Sequence, residues 1–283
     1  MRKILTLVSS VAGCLGGLAP IAMAQAPAGT ERPKVLQIFV EETKPGRGPA
    51  HEKIEKSWVD ALRKGGDKSV YLGMVSGSKA WYLFPRTSFV AAEQADKDAA
   101  ANTALTAEVE RIAALDGDLL SGSSGMWAVH RPELSYRADY DVAKMRYYRV
   151  SVIQLNPGYG RDFEQVRKLI NAAHDKLKLD EHWSVYQVVA GAADGTYIVL
   201  FPMASLTEWD KGEEMHGKAY QEALGDANRD QLRDFQRAGT RASETMLFNF
   251  SPKMSYLPKE FIDRDPDFWA PKPAAIPKKE EKK

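Results

Sequence analysis

The sequence PGRGPAHE at residues 45–52 returns as PGYGRDFE at residues 157–164. Each copy follows a run rich in β-branched and aromatic residues and precedes a run with apolar residues at helical spacing. The stretch therefore predicts a strand that turns sharply into a helix, twice in one chain. Its glycines fit either a turn that needs a positive φ angle or an anion-binding turn at a helix N-terminus. A phosphate-binding loop is not expected, because no Gly-Lys-Ser/Thr follows either copy.

Three further pairs of matching segments follow in the same order along the two halves of the chain. Each change of offset between them falls in a predicted turn, loop or helix end, where insertions are tolerated. The sequence therefore predicts an internal duplication. The pairs are 45 with 157, 69–71 with 184–186, 84–85 with 201–202, and 132–136 with 252–256, at offsets of 112, 115, 117 and 120.

Each half is predicted to follow the order β-α-β-β-α-β, which is the ferredoxin-like unit. The first unit is placed at 34–137 and the second at 144–257. Within them, 121–125 is predicted as a loop before a strand at 126–130, and 205–237 as one long helical region. The predicted class is α+β, with two ferredoxin-like repeats that pair their antiparallel sheets into one pseudo-twofold α+β barrel.

Both ends of the chain have a different character from the repeats. Residues 1–24 combine a basic start with an apolar run and end in Ala22-Met23-Ala24, which predicts a signal peptide cleaved after Ala24. A bacterial lipobox ending at Cys14 is the alternative. Residues 25–33 are predicted to be a linker. Residues 258–283 are charged and rich in proline, which predicts a disordered tail with Phe261, Phe268 and Trp269 as anchors onto the body.

Charge and cysteine content exclude several classes of protein. Removing residues 1–24 lowers the Lys+Arg count from 39 to 37 against 38 Asp+Glu, and this balance argues against nucleic-acid binding. Cys14 is the only cysteine, so the mature chain has neither a disulfide nor a thiolate ligand. The expected location is periplasmic or secreted, with a lipoprotein anchored at Cys14 as the alternative, and the mature chain is expected to have no transmembrane span.

The tandem pattern at 34–257 resembles the dimeric α+β barrel superfamily. That superfamily includes antibiotic-biosynthesis-monooxygenase-like and NIPSNAP-like proteins and the haem-binding chlorite dismutase group. The resemblance implies sheet-to-sheet pairing of two units, either within one chain or between two, so we expect a monomer with an intramolecular pseudo-dimer or a homodimer. It lies in element order rather than in a catalytic motif, and therefore implies fold more than function.

Two residues of the second half are the catalytic candidates. His174 falls on the apolar stripe of a predicted helix, where the first half has Leu62. It is interpreted either as a general base or haem ligand facing a pocket, with Asn171 one turn earlier, or as a histidine at the edge of the stripe with its tip in water. The sequence assigns it no carboxylate partner. His51 is expected to be solvated.

Aromatic side chains cluster on the predicted strands and first helices, where they either line a cavity for a flat ligand or fill the core between the sheets. No cofactor is predicted. Haem is the alternative, with His174 as its ligand. No metal site is predicted either, since no His-Glu-x-x-His motif, close histidine pair or cysteine ligand occurs. The candidates for a ligand pocket are Trp58, Tyr71, Tyr186, Trp209 and His216.

Three functions are compatible with these features. The leading hypothesis is an exported protein that binds a small apolar or aromatic molecule between the repeats or under one helix layer. The second is a cofactor-independent monooxygenase-like or haem-dependent oxidoreductase that uses His174. The third is a structural protein-interaction module. Whether the protein is an enzyme is left open at this stage.

Overall fold

A computed structural model describes residues 31–270 of the 283-residue chain. The predicted signal peptide, Cys14, most of the linker and the last part of the tail, residues 271–283, lie outside the described residues. Between residues 31 and 270, no helix has both the length and the apolar character needed to cross a membrane.

In the described part of the chain, eight antiparallel strands form a closed barrel in the order β1-β3-β2-β8-β5-β7-β6-β4. The pairs β1–β3 and β5–β7 are long, with eight partner residues each. The pairs that join the two halves of the chain, β2–β8 and β4–β6, are shorter. This arrangement confirms the α+β class with antiparallel strands closed into a barrel. The strands are β1 Val35–Thr43, β2 Leu72–Ser76, β3 Lys79–Arg86, β4 Leu120–His130, β5 Tyr147–Leu155, β6 Ser184–Ala190, β7 Thr196–Met203 and β8 Thr240–Phe250.

The longer helices cover the outside of the barrel. Helices α1 and α3 contact each other over the first half, and α4 contacts α6 and α7 over the second. The helices are α1 Gly48–Lys64, α2 Phe89–Ala101, α3 Thr103–Gly117, α4 Gly160–Leu177, α5 Thr207–Met215, α6 Lys218–Leu224, α7 Asp226–Ala238, α8 Lys259–Ile262 and α9 Pro266–Trp269.

The stretch at 45–52 and its counterpart at 157–164 are strand-to-helix turns. Gly46 has a φ angle of 76° and Gly158 one of 91°, a conformation that other residues adopt only with strain. Pro49 lies in the first turn of α1, where its missing N–H leaves no hydrogen bond unmade. The local backbone thus accounts for the first glycine of each copy, Gly46 and Gly158.

Successive side chains along each strand point alternately into and out of the barrel, which divides the core into an inner and an outer layer. Leu36 and Ile38 of β1 point into the barrel and join one large apolar cluster, while Phe39 packs outward under the first helix layer. A corresponding outer cluster in the second half includes Phe163 and Tyr197. Both faces of the sheet are therefore buried, which gives the described residues a sizeable core although they contain no cysteine for a disulfide.

Three predicted element boundaries need correction. The Ser/Gly run at 121–125 is part of β4, because its backbone pairs with β1 while its small side chains are exposed. The helical region 205–237 is interrupted at Gly217 and Gly225 and forms α5, α6 and α7. Residues 258–270 are not a disordered tail but carry α8 and α9, because Trp269 is buried against the barrel interior.

Candidate functional site

One end of the barrel interior holds a partly open cavity of about 130 Å³. Its walls are mainly apolar and come from strands of both halves of the chain. Because the barrel strands all contribute alternate residues to the interior, the cavity is built from the inner layer of the core. The inward residues that form its walls include Leu36, Leu72, Leu83, Tyr148, Tyr186 and Leu200.

Three segments outside the barrel strands cover this end of the cavity. They are residues 31–33 before β1, residues 140–142 between the two halves, and residues 257–264 around α8. Arg264 is held there by Asp141, with 3.0 Å between Nη1 and Oδ1. The cover therefore includes part of the segment that the sequence predicted to be disordered.

Arg32 carries a positive charge at the cavity. Its guanidinium lies 4.1 Å from the centre of the Tyr140 ring and donates a hydrogen bond to the Tyr140 carbonyl oxygen at 2.7 Å. The effect of its charge extends to His130, whose ring packs against Tyr186 at 5.1 Å between ring centres. Burial, and then the charge of Arg32, lower the pKa of His130 to about 4. His130 is therefore neutral at physiological pH.

Tyrosine hydroxyls supply the other polar groups around the cavity. The Tyr140 hydroxyl lies 3.3 Å from that of Tyr148 and 3.0 Å from Ser184 Oγ. The Tyr186 hydroxyl donates to the Pro33 carbonyl oxygen at 3.2 Å. Burial raises the pKa of both Tyr148 and Tyr186 above its ordinary value. Both side chains therefore remain neutral phenols with one hydroxyl hydrogen each, and that of Tyr186 is already donated to Pro33.

The aromatic candidates from the sequence fall in three places. Tyr186 lines the barrel-end cavity, and Tyr71 borders both it and a smaller cavity of about 40 Å³ under α1 and α2. Trp58 borders the smaller cavity. Trp209 lies elsewhere, with the Arg149 guanidinium 5.0 Å from its ring. The structure therefore brings only part of the predicted set together.

His174 and His216 meet on the outside of the second half, around a residue that the sequence did not single out. Glu181 Oε2 lies 2.6 Å from His174 Nε2 and 2.9 Å from His216 Nε2, and the two nitrogens are 3.4 Å apart. Burial works to raise the pKa of Glu181, but the hydrogen bonds from His174 and His216 outweigh it and lower the pKa to about 2. The carboxylate is therefore ionised at every physiological pH.

The interpretation of His174 as a stripe-edge histidine with its tip in water is wrong. Its residue exposure is 2%, and aromatic rings of Tyr136, Trp183 and Tyr220 surround it. Asn171 does not reach it, because its side-chain nitrogen donates to the Ser135 carbonyl oxygen at 2.9 Å. The proposed pairing of His174 with Asn171 is therefore not formed.

His51 is also buried rather than solvated. It lies in a fully buried cluster with Glu41, Glu55 and Asp116 under α1 and α3 of the first half. Asp116 Oδ1 is 2.7 Å from His51 Nδ1, and the Tyr82 hydroxyl is 3.1 Å from His51 Nε2. The sequence missed this cluster because its members are spread from 41 to 116 and each looks like an ordinary surface residue.

Known structures share the barrel. A candidate monooxygenase from Fusobacterium nucleatum subsp. nucleatum is 8% identical, with a TM-score of 0.50 over 77% of this chain and 93% of its own. An anthrone oxidase-like protein is 10% identical, with a TM-score of 0.51 over 82% of this chain and 97% of its own. A chlorite dismutase variant from Candidatus Nitrospira defluvii is 12% identical, with a TM-score of 0.46 over 83% of this chain and 96% of its own.

These proteins belong to the dimeric α+β barrel superfamily, and the two with the higher TM-scores show that this chain has the same α+β barrel fold. At such identities the likeness shows the fold alone. No family model and no curated protein matches the sequence.

Proposed function

We propose that this protein binds a small anionic molecule with a single aromatic ring in the barrel-end cavity. The observation that carries the proposal is a partly open, mainly apolar space with two guanidiniums, Arg32 and the Asp141-paired Arg264, and several tyrosine hydroxyls at its border. Such a combination of apolar walls and few polar groups is typical of small-molecule sites. In another protein, an apolar cavity of about 150 Å³ binds benzene. The barrel-end cavity, at about 130 Å³, is therefore large enough for one aromatic ring.

The polar groups favour an anionic substituent on that ring. Arg32 is a permanent cation at the border of the cavity. The charges opposing it are Glu31, at the border of the cavity, and Asp141, which is paired with Arg264. A carboxylate would accept from Arg32 and from a tyrosine hydroxyl, so benzoate is the simplest probe of the proposed class.

The test uses the full mature chain titrated with 4-fluorobenzoate and followed by fluorine NMR. Binding is expected for the wild type. Leu200→Phe should abolish it by filling the cavity, and Arg32→Gln should weaken it at least about tenfold, because a charge-assisted hydrogen bond contributes roughly 1.5–3 kcal/mol. Val189→Phe is the matched control, since Val189 is 52% exposed and lies outside the cavity. The absence of binding, or equal binding by Leu200→Phe, would refute the proposal.

An oxidoreductase that uses His174 is the second candidate, favoured by the buried contact between His174 and Glu181. Haem does not suit the described residues around it. His174 Nδ1 is engaged by the Ile170 carbonyl oxygen at 2.8 Å and Nε2 by Glu181, and the described cavities are smaller than the roughly 300–1,000 Å³ typical of cofactor-sized ligands. A Soret band in purified protein would overturn this assessment.

The duplication and the export of the chain are also proposals. Strand register supports the duplication. Val35 pairs with Arg86 in the first half, and Tyr147 pairs with Met203 in the second. Val35 and Tyr147 are 112 residues apart and Arg86 and Met203 are 117 apart, which are offsets found in the sequence. We propose that two ferredoxin-like units close the barrel within one chain. Native mass spectrometry would test this by giving the number of chains, and the mass of the mature N-terminus would test cleavage after Ala24.

A further inference from the structure

We propose that His174, Glu181 and His216 form a binding site for a divalent transition-metal ion of the Zn²⁺ type. This site lies outside the barrel-end cavity and is independent of the aromatic ligand proposed there. Three ligand atoms from three places in the chain converge: His174 from α4, Glu181 from the loop before β6, and His216 from the residue that ends α5.

The geometry of the three ligand atoms suits one ion. A tetrahedral ion with bonds of about 2.0–2.1 Å to nitrogen separates two ligand atoms by about 3.3 Å. The two histidine Nε2 atoms are 3.4 Å apart. Glu181 Oε2 is closer to both, at 2.6 and 2.9 Å, and a small rotation of this loop side chain would bring it to the same separation.

Hydrogen-bond chemistry also favours a cation between these atoms. The Ile170 carbonyl oxygen only accepts, so His174 Nδ1 carries the hydrogen that joins them at 2.8 Å. In the metal-free protein a second hydrogen, on Nε2, joins His174 to Glu181 at 2.6 Å, and a metal ion bound to Nε2 would take the place of that hydrogen. A metal ion satisfies both groups at once, and a backbone carbonyl bound to the other ring nitrogen is the usual support of a metal-ligating histidine.

The surroundings give the site both rigidity and access. His174 is held by the rings of Tyr136, Trp183 and Tyr220. The side chains of Glu181 and His216 are 13% and 35% exposed, so an ion can enter from the solvent side.

Two imidazoles with one carboxylate are the donors preferred by Zn²⁺, Fe²⁺ and Co²⁺ rather than by Mg²⁺ or Ca²⁺, which take oxygen ligands. Three protein ligands also leave a coordination position for water or a substrate, as in catalytic zinc sites. The class of ligand is therefore a divalent first-row transition metal, with Zn²⁺ as the simplest member.

Co²⁺ titration of the metal-free full chain tests the proposal, because tetrahedral Co²⁺ bound to nitrogen and oxygen has a visible absorption band. We expect one Co²⁺ per chain, displaced by Zn²⁺. His216→Ala should weaken binding at least about 100-fold. His182→Ala is the matched control and should bind as the wild type does, because His182 contacts the Arg137 carbonyl oxygen and lies outside the cluster.

Three results would overturn the assignment. They are the absence of a visible band, equal Co²⁺ affinity in His216→Ala and the wild type, and loss of binding in Asp116→Asn, which would move the ion to the buried cluster of the first half. Circular dichroism melting of each variant separates lost ligands from lost folding. Fluorobenzoate binding by His216→Ala should be unchanged, so that failure of the metal site is distinguishable from failure of the aromatic site.

Discussion

Replacing Glu181 with glutamine should destabilise the metal-free protein at neutral pH and much less in acid. The pKa of Glu181 falls from 4.5 to about 2 on folding, which corresponds to about 3 kcal/mol of stability at pH 7. His216, one of its two partners, is 35% exposed, so solvent screening reduces the expected effect to about 2 kcal/mol.

The pH dependence has a definite sign. Because the pKa of Glu181 is lower in the folded state, its contribution to the free energy of unfolding is fully present above pH 4.5. That contribution is lost as the pH falls through about 2. With these two pKa values, about 40% of the neutral-pH contribution should remain at pH 3, or about 0.8 kcal/mol. Glu181→Gln should therefore differ from the wild type by about 2 kcal/mol at pH 7 and by less than half of that at pH 3.

Urea unfolding in the presence of EDTA, at both pH values, measures the difference. Glu244→Gln is the matched control: its pair with Lys79 is 2.8 Å long but 57% exposed on the glutamate side, so the change should cost less than about 1 kcal/mol. A loss below about 0.5 kcal/mol for Glu181→Gln at pH 7, or a loss of the same size at pH 3, would show that the three side chains do not form the buried ionic contact described above.

Three further substitutions test other parts of the fold. Burial lowers the pKa of Arg167 to about 10, and its Nε and Nη2 have no hydrogen-bond partner within residues 31–270. Arg167→Met should therefore raise the free energy of unfolding by about 1–3 kcal/mol. A loss of stability would contradict this. Trp269→Ala should lower the free energy of unfolding in urea by about 3–5 kcal/mol, because Trp269 is buried and donates to the Ala143 carbonyl oxygen at 2.8 Å. A loss as small as that of an exposed side chain would mean that α9 does not pack on the barrel. Gly73→Ala should lower the melting temperature, because a Cβ there would lie 2.1 Å from the Met254 carbonyl oxygen, whereas Gly122→Ala meets nothing and should melt within a few degrees of the wild type.

The fold was largely predictable because its signals are local. Hydrophobic alternation and the Pro-Gly turns mark strand and helix starts, and each Pro-Gly turn does lie between a strand and a helix. Segments without such a signal were missed. The Ser/Gly run at 121–125 has the composition of a loop, and only its pairing with β1 makes it a strand. The composition of residues 258–270 predicted disorder, and only the anchor role of Trp269 was predicted correctly: it is buried and fixes α8 and α9.

The site was less predictable because it depends on contacts between distant residues. His174 was identified from its place on the stripe of a helix, but Glu181 and His216 join it only in the folded chain, where α6 packs against α4. One signal was available: His174 replaces the leucine of the first half, and a polar residue on a core stripe needs a polar partner. The identity of that partner depends on tertiary structure.

The most direct measurement of the central claim is the position of a bound aromatic ring. Intermolecular NOEs between 4-fluorobenzoate and methyl-labelled full-length mature protein would locate it. A ring bound in the barrel-end cavity should give NOEs to the methyl groups of Leu72 and Leu200, which line it. NOEs only to exposed methyl groups such as those of Val189, or none at saturating ligand, would contradict it.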